Sequence, residues 1–178
     1  MHSVELLLDD AGDAAVVAEW GALADAGLPS QAQHRGASNR PHVTLVTSEG
    51  WPGREAVVDA LADLPLPTRL GAPVVFGRGP FVLARLVVVT AGLLGVQSAL
   101  GGLLAPVSSP LVEPGRWVPH VTLGRRLSAS QVGEALALLD DGPGEVVFDA
   151  ARHWDSVARE TEELTPPRDP AGARSVDG

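Results

Sequence analysis

Apolar and polar positions along the chain predict an alternation of strands and helices that runs through its sequence twice. From Ser3 to Asp9, Val4, Leu6 and Leu8 alternate with Ser3, Glu5 and Leu7, the period of a strand. Ala11 to Ala26 reads as a helix stopped by Gly27 and Pro29, and residues 28–41 as a polar loop. His42 to Thr47 is a strand, Arg54 to Leu64 a helix closed by Pro65, and Leu66 to Phe76 a strand bulged near Gly71-Ala72-Pro73. Turn residues Gly77-Arg78-Gly79-Pro80 come next, and the order restarts. Phe81 to Thr90 is a strand, Ala91 to Leu104 a Gly-weakened helix, residues 105–117 a Pro- and Ser-rich loop, and Val118 to Arg125 a strand. Ser128 to Leu139 is a helix with Ser128 and Gln131 spaced as a capping box. Asp141-Gly142-Pro143-Gly144 is a turn and Glu145 to Asp155 the last strand.

A short repeat fixes the alignment of the two halves. Pro41-His42-Val43-Thr44-Leu45 recurs as Pro119-His120-Val121-Thr122-Leu123, 78 residues later. The same shift carries the strand starting at Ser3 onto Phe81 and the strand starting at Leu66 onto Gly144. An α+β fold is therefore expected, an internally duplicated βαβαβ unit forming two pseudo-twofold lobes whose antiparallel strands flank a central groove. Lobe 1 would span about 1–77 and lobe 2 about 80–156, within a single domain of 1–158. The tail, 159–178 in the domain division and from about Glu160 in the pattern, is Pro-rich and small-polar at its end and is expected to be disordered.

Composition narrows the chemistry. With 178 residues, 45% of them hydrophobic and only 4% aromatic, the core is built from Ala, Val and Leu. The absence of Cys excludes disulfides and thiolate catalysis, and the absence of Tyr excludes a tyrosyl nucleophile. All 13 basic residues are Arg, so no lysyl-adenylate or Schiff base can form. A net charge of -9 opposes binding of a long polyanion but leaves room for a small phosphate ester or an RNA end held by a local Arg cluster. No apolar run is long enough for a transmembrane helix, and the first residues lack the pattern of a signal peptide. A cytoplasmic protein without membrane association is expected, and a monomer, since the duplication already supplies twofold symmetry.

The repeat places chemistry where two copies can meet. On a strand, His42 and Thr44 share one face and Val43 and Leu45 the other; the same holds for His120 and Thr122. If Val and Leu enter the core, two imidazoles and two hydroxyls face the groove. Thr hydroxyls can donate to the nonbridging oxygens of a phosphate. One neutral and one protonated His can act as general base and general acid, with no metal or other cofactor. Arg40 lies two residues before His42 and shares its face. Trp117 lies three before His120, where it can stack on a base or plug the loop. Strand parity puts Arg126, not Arg125, on the His120 face. His34 in its polar loop reads as a surface residue and His153 as structural. A metal hydrolase using His34, His42 and His120 is disfavoured, because the motif offers Thr where a further ligand is needed and no adjacent carboxylate.

On these residues the chain resembles the 2H phosphoesterase superfamily, and within it the bacterial LigT-like branch of 2′-5′ RNA ligases and cyclic phosphodiesterases. The resemblance rests on His42-Val43-Thr44, on His120-Val121-Thr122 continuing as Leu123-Gly124-Arg125, on Val75-Phe76-Gly77-Arg78-Gly79-Pro80, and on Arg152-His153-Trp154-Asp155-Ser156; it covers about residues 1–158. It implies His42 and His120 as the catalytic pair, Thr44 and Thr122 at the phosphate, and Arg125 as a phosphate clamp. It also implies hydrolysis of 2′,3′-cyclic phosphate ends to a 2′-phosphate, reversible 2′-5′ ligation, or both. The partner is then a small cyclic nucleotide or an RNA terminus. A noncatalytic nucleotide- or RNA-end-binding module of the same fold is the alternative. Which His is the base stays open.

Overall fold

The structure, a computed structural model, describes residues 1–36, 38–140, 142 and 144–165. The first half comprises β1 (His2–Leu8), α1 (Asp10–Asp25), β2 (His42–Ser48), α2 (Arg54–Ala60) and β3 (Leu66–Phe76). The second comprises β4 (Phe81–Val87), α3 (Ala91–Leu103), β5 (His120–Leu127), α4 (Ala129–Leu138) and β6 (Gly144–Asp155), with β7 (Glu160–Glu163) after it. Helix starts follow local chemistry. The Asp9 carboxylate accepts from Gly12 N, the Thr90 hydroxyl from Leu93 N, and Ser128 and Gln131 form the expected capping box. The expected β3 bulge is a register shift between Leu70 and Pro73. Asp141 and Pro143 of the expected turn lie outside the described residues.

The strands form one antiparallel sheet in the order β2-β1-β6-β3-β4-β5, with β7 added on β6. Each half therefore contributes its first two strands to one arm and its third to the other: β6 pairs with β1, and β3 with β4. The two third strands pair with each other at the centre. There Thr68 lies opposite Val146, the residue reached by the 78-residue shift, and the same shift exchanges the pair Leu66–Phe148 with the pair Gly144–Leu70. The pseudo-twofold axis thus passes through the Thr68–Val146 pair. Helices are shared in the same way. α1 packs on α4 and β5, and α3 on α2 and β2. Gly77–Pro80 is consequently a boundary of the repeat in sequence, while each arm of the sheet is built from both halves.

Two expectations need correction. Residues 160–163, placed in a disordered tail, form β7 on the C-terminal part of β6, and Leu164 just beyond is fully buried. The strand is clamped by Arg54 of α2, whose Nε lies 3.2 Å from Glu162 Oε1. Polar composition concealed it because an acidic strand needs only backbone partners and one buried apolar anchor. Residues 166–178 lie outside the described residues. The strand read from Phe81 to Thr90 ends at Val87, because Thr90 is the N-cap of α3.

One side of the sheet carries the apolar core, in which Leu6, Val43, Leu45, Leu83, Val121 and Leu123 are fully buried. Arg85 is also fully buried. Its Nε donates to Glu19 Oε1 at 3.0 Å, its guanidinium forms an ion pair with the same carboxylate, and Nη2 donates to Asp140 O at 3.0 Å. This pair ties α1 of the first half to β4 of the second. Among the described residues no helix is long and apolar enough to cross a membrane.

Removing one member of such a pair strands a desolvated charge. Arg85→Ala should lower the unfolding free energy by about 3–5 kcal/mol. Replacing Arg85 and Glu19 together with Met should recover most of that loss. Urea unfolding of the two variants checks both.

Candidate functional site

β2 and β5 are the end strands of the path, yet they come into contact. The sheet is curled far enough for its ends to meet over a groove on the face opposite the core. Burial along the motif strands follows the predicted alternation. Val43, Leu45, Val121 and Leu123 are buried, while His42, Thr44, His120 and Thr122 are half-buried on the groove face. His42 lies near enough to His120 for its charge to act on it.

Both imidazoles are anchored by the carbonyl two residues upstream, and His42 Nδ1 also lies 3.4 Å from Arg152 Nη2. His42 Nδ1 lies 2.7 Å from Arg40 O, and His120 Nδ1 lies 2.8 Å from Val118 O. A carbonyl can only accept, so in each ring Nδ1 carries the hydrogen and the remaining nitrogen, Nε2, is left for chemistry. The motif strands are also buttressed identically, each from the opposite half. Trp117 Nε1 donates to Thr44 O at 2.9 Å, and Trp20 Nε1 donates to Thr122 O at 3.0 Å.

Each motif strand is bulged one residue after its Thr. The β1–β2 register shifts between Val4 and Glu5, so Leu45 has no opposite number; the β4–β5 register shifts between Leu83 and Ala84, leaving Leu123 so placed. A bulge reverses the facing of every later residue in its strand. Arg125 therefore faces the groove, against the simple alternation that favoured Arg126. Arg126 occupies a second irregularity, with φ 63°, and is exposed. The small residue before Arg125 has a steric reason. A Cβ on Gly124 would land on the Pro29 carbonyl, so glycine lets the 28–41 loop close against β5.

Beyond this scaffold the two arms diverge. Glu5 and Arg152 lie beside the first motif: β1 pairs Glu5 with Thr44 on one side and with Arg152 on the other. Arg152 Nε donates to Glu5 Oε2 at 2.7 Å, Ser3 Oγ donates to Glu5 Oε1 at 3.0 Å, and that Oε1 lies 3.8 Å from His42 Nε2. The equivalent row beside the second motif is Val74, Ala84 and Thr122, with no charge. The Phe76 ring stands 4.5 Å from the His120 ring, tilted 45°. Burial in these apolar surroundings pushes the His120 pKa down from its usual value of 6.5; the Val118 carbonyl opposes this, and the charges of Arg125 and His42 add to it.

A cavity of about 320 Å³ opens beside His42. Glu5, Arg152 and Trp154 line it from the sheet, Gln31, His34 and Asn39 from the loop, and Arg125 reaches it from β5. His34, read as a surface residue, is exposed and also lines the mouth of this cavity. Arg40 is not, through its side chain: Nε donates to Asp13 Oδ1 at 3.1 Å and Nη2 to Leu8 O at 3.0 Å, leaving its carbonyl to orient His42. Trp117 packs against the core and orders Thr44 through the backbone. His153 is stacked on Trp51 at 3.8 Å and lies 3.0 Å from His2, away from the cavity. Among the described residues no group of three His, Asp or Glu side chains is gathered for a metal ion.

Glu5, Arg152, Gln31 and Asn39 were not singled out as site residues from sequence. Glu5 was legible as part of the polar face of β1, but that this face lines the groove depends on its pairing with β2. Trp154 lies 78 residues after Phe76, a correspondence the repeat contained.

A family model for the 2′-5′ RNA ligase superfamily matches residues 13–160. No curated protein sequence matches the chain. Among solved structures, Kluyveromyces marxianus Usb1 is similar with a TM-score of 0.51 and 13% identity, covering 93% of this chain and 97% of that one. The structure of the same Usb1 with uridine monophosphate has a TM-score of 0.49 and 14% identity over the same shares of the two chains. Two bulged His-x-Thr strands set by an internal duplication, together with a family match over most of its length, show that the chain belongs to the 2′-5′ RNA ligase superfamily, the 2H phosphoesterases.

Proposed function

We propose that the protein is a metal-independent phosphoesterase that hydrolyses 2′,3′-cyclic phosphate ends to 2′-phosphates, and that the same site can run 2′-5′ ligation when an RNA 5′-hydroxyl replaces water. The observation that carries this reading is the matched pair of imidazoles, both anchored through Nδ1 so that both Nε2 atoms serve one groove. Thr44 and Thr122 hold nonbridging oxygens, and Arg125 adds a fixed cation at the phosphate.

The difference between the arms supports an assignment of roles. His120, in its apolar surroundings with a lowered pKa, is the neutral base. His42, with the Glu5 carboxylate 3.8 Å from its Nε2, is the acid. Water gives its proton to His120 Nε2 as its oxygen bonds to phosphorus. The bond from phosphorus to the ribose 3′-oxygen breaks, and His42 Nε2 delivers a proton to that oxygen. Solvent then returns the pair to its starting state.

With EDTA present, His42→Ala and His120→Ala should each lower turnover of 2′,3′-cyclic nucleotides by roughly 10²–10⁴-fold without changing the melting temperature. Wild-type turnover in either variant would overturn the proposal. Nucleotide binding without turnover by the wild-type protein would point instead to a noncatalytic binding module.

The pH profile tests the assignment. A base with a lowered pKa keeps its lone pair until the pH falls through that pKa, so the acidic limb of kcat/KM should lie below 6.5. Val74→Glu, which puts a carboxylate near His120, should move the acidic limb upward.

A further inference from the structure

Where β1 begins, two His side chains meet away from the cavity. His2 Nδ1 lies 3.0 Å from His153 Nε2, and the Trp51 ring lies flat on the His153 ring at 3.8 Å and 8°. Carboxylates flank the pair. Asp155 Oδ2 is 3.8 Å from His2 Nδ1, and Glu162 Oε2 of β7 is 3.8 Å from His153 Nδ1. Arg54 of α2 in turn holds Glu162, and the Met1 amine, 3.6 Å from Glu49, acts on Asp155. The 78-residue shift takes His2, Trp51, His153 and Asp155 to Pro80, Ala129, Val75 and Gly77, so the duplicated scaffold does not require this cluster. It joins the start of β1 to β6 and β7. The next residue of β1, Ser3, donates to Glu5 beside His42.

We propose that the His2–His153 pair is a pH-sensitive clasp that fastens the start of β1 to β6 and opens when both rings are charged. A carboxylate accepts, so in the neutral pair the hydrogen of His153 is on Nδ1, facing Glu162, and its Nε2 lone pair accepts from His2 Nδ1. A proton added at His2 Nε2 leaves that bond in place. A proton added to His153 can enter only at Nε2. Two N–H groups and two positive charges then face each other across a 3.0 Å contact, which must open. His2 is the ring that moves, because charged His153 stays beneath Trp51 and attracts Glu162. Burial and the charge of His2 push the His153 pKa down from 6.5, against the pull of Glu162 and Asp155. A basic group with a lowered pKa contributes stability that is complete above 6.5 and declines as the pH falls below it.

The test is hydrogen exchange at the Ser156 amide, which donates to Met1 O beside the clasp, about one pH unit above 6.5 and about one below. Protection factors remove the intrinsic effect of pH. Protection of Ser156 should fall severalfold, at most about tenfold, the factor gained by a ring released to protonate with a pKa of 6.5. The Leu164 amide, bonded to Ala151 O beyond β7, should keep its protection. His2→Asn should abolish the fall, because an amide offers His153 Nε2 a donor or, turned over, an acceptor. Glu162→Gln should move the fall to lower pH, since it removes a charge that favours protonated His153. Protection of Ser156 that does not change with pH in the wild-type protein would overturn the proposal. So would an equal fall in His2→Asn, which would place the titrating group elsewhere. Ring nitrogen shifts that put the hydrogen of neutral His153 on Nε2 would overturn it as well.

Discussion

β3 and β6 hydrogen-bond to each other across the pseudo-twofold axis, and the placement of every functional group depends on that pairing. Because the third strand of each half ends up in the other arm, neither half can bury its apolar face alone. The sharing of helices has the same effect: α1 packs on β5 as well as on β1 and β6, and α3 packs on β2. The buried Arg85–Glu19 pair and the indoles of Trp20 and Trp117 then cross between halves. Closure of the sheet ends over the groove is thus coupled to formation of the core, which holds the two His-x-Thr strands at a fixed separation.

Duplication makes the site's scaffold symmetric, and divergence gives its two His rings different surroundings. An acid–base pair needs two chemically alike groups in different protonation states. Here the backbone treats His42 and His120 alike, down to the carbonyl two residues upstream that fixes each tautomer. The neighbours differ. A carboxylate bound to Arg152 stands by one ring, and Val74, Ala84 and Phe76 surround the other. Burial in the second of these settings lowers the pKa of His120 without moving the ring.

Much of this was legible in the chain. The repeated pentapeptide gave the 78-residue shift, period-two alternation placed His and Thr opposite Val and Leu, and capping chemistry located α4. These features are encoded by residues close in sequence, so reading along the chain recovers them. Arg125 was less accessible, because a bulge reverses parity only once a partner strand defines the register. β7 escaped because its strand state comes from backbone pairing with β6 and one buried Leu164, not from its own acidic side chains.

The sequence by itself determined the duplication, the order of elements, the motif strands and the faces their side chains occupy, since each depends on local periodicity and on the identity of neighbouring residues. The tertiary structure decided the rest: the exchange of third strands, the closing of the groove, the arrival of Glu5, Arg152 and Trp154 beside His42, and the turn of Arg125 toward the groove. All of these depend on pairings between residues far apart in the chain. The free energy of such a pairing depends on which surfaces remain to be buried once the rest has folded.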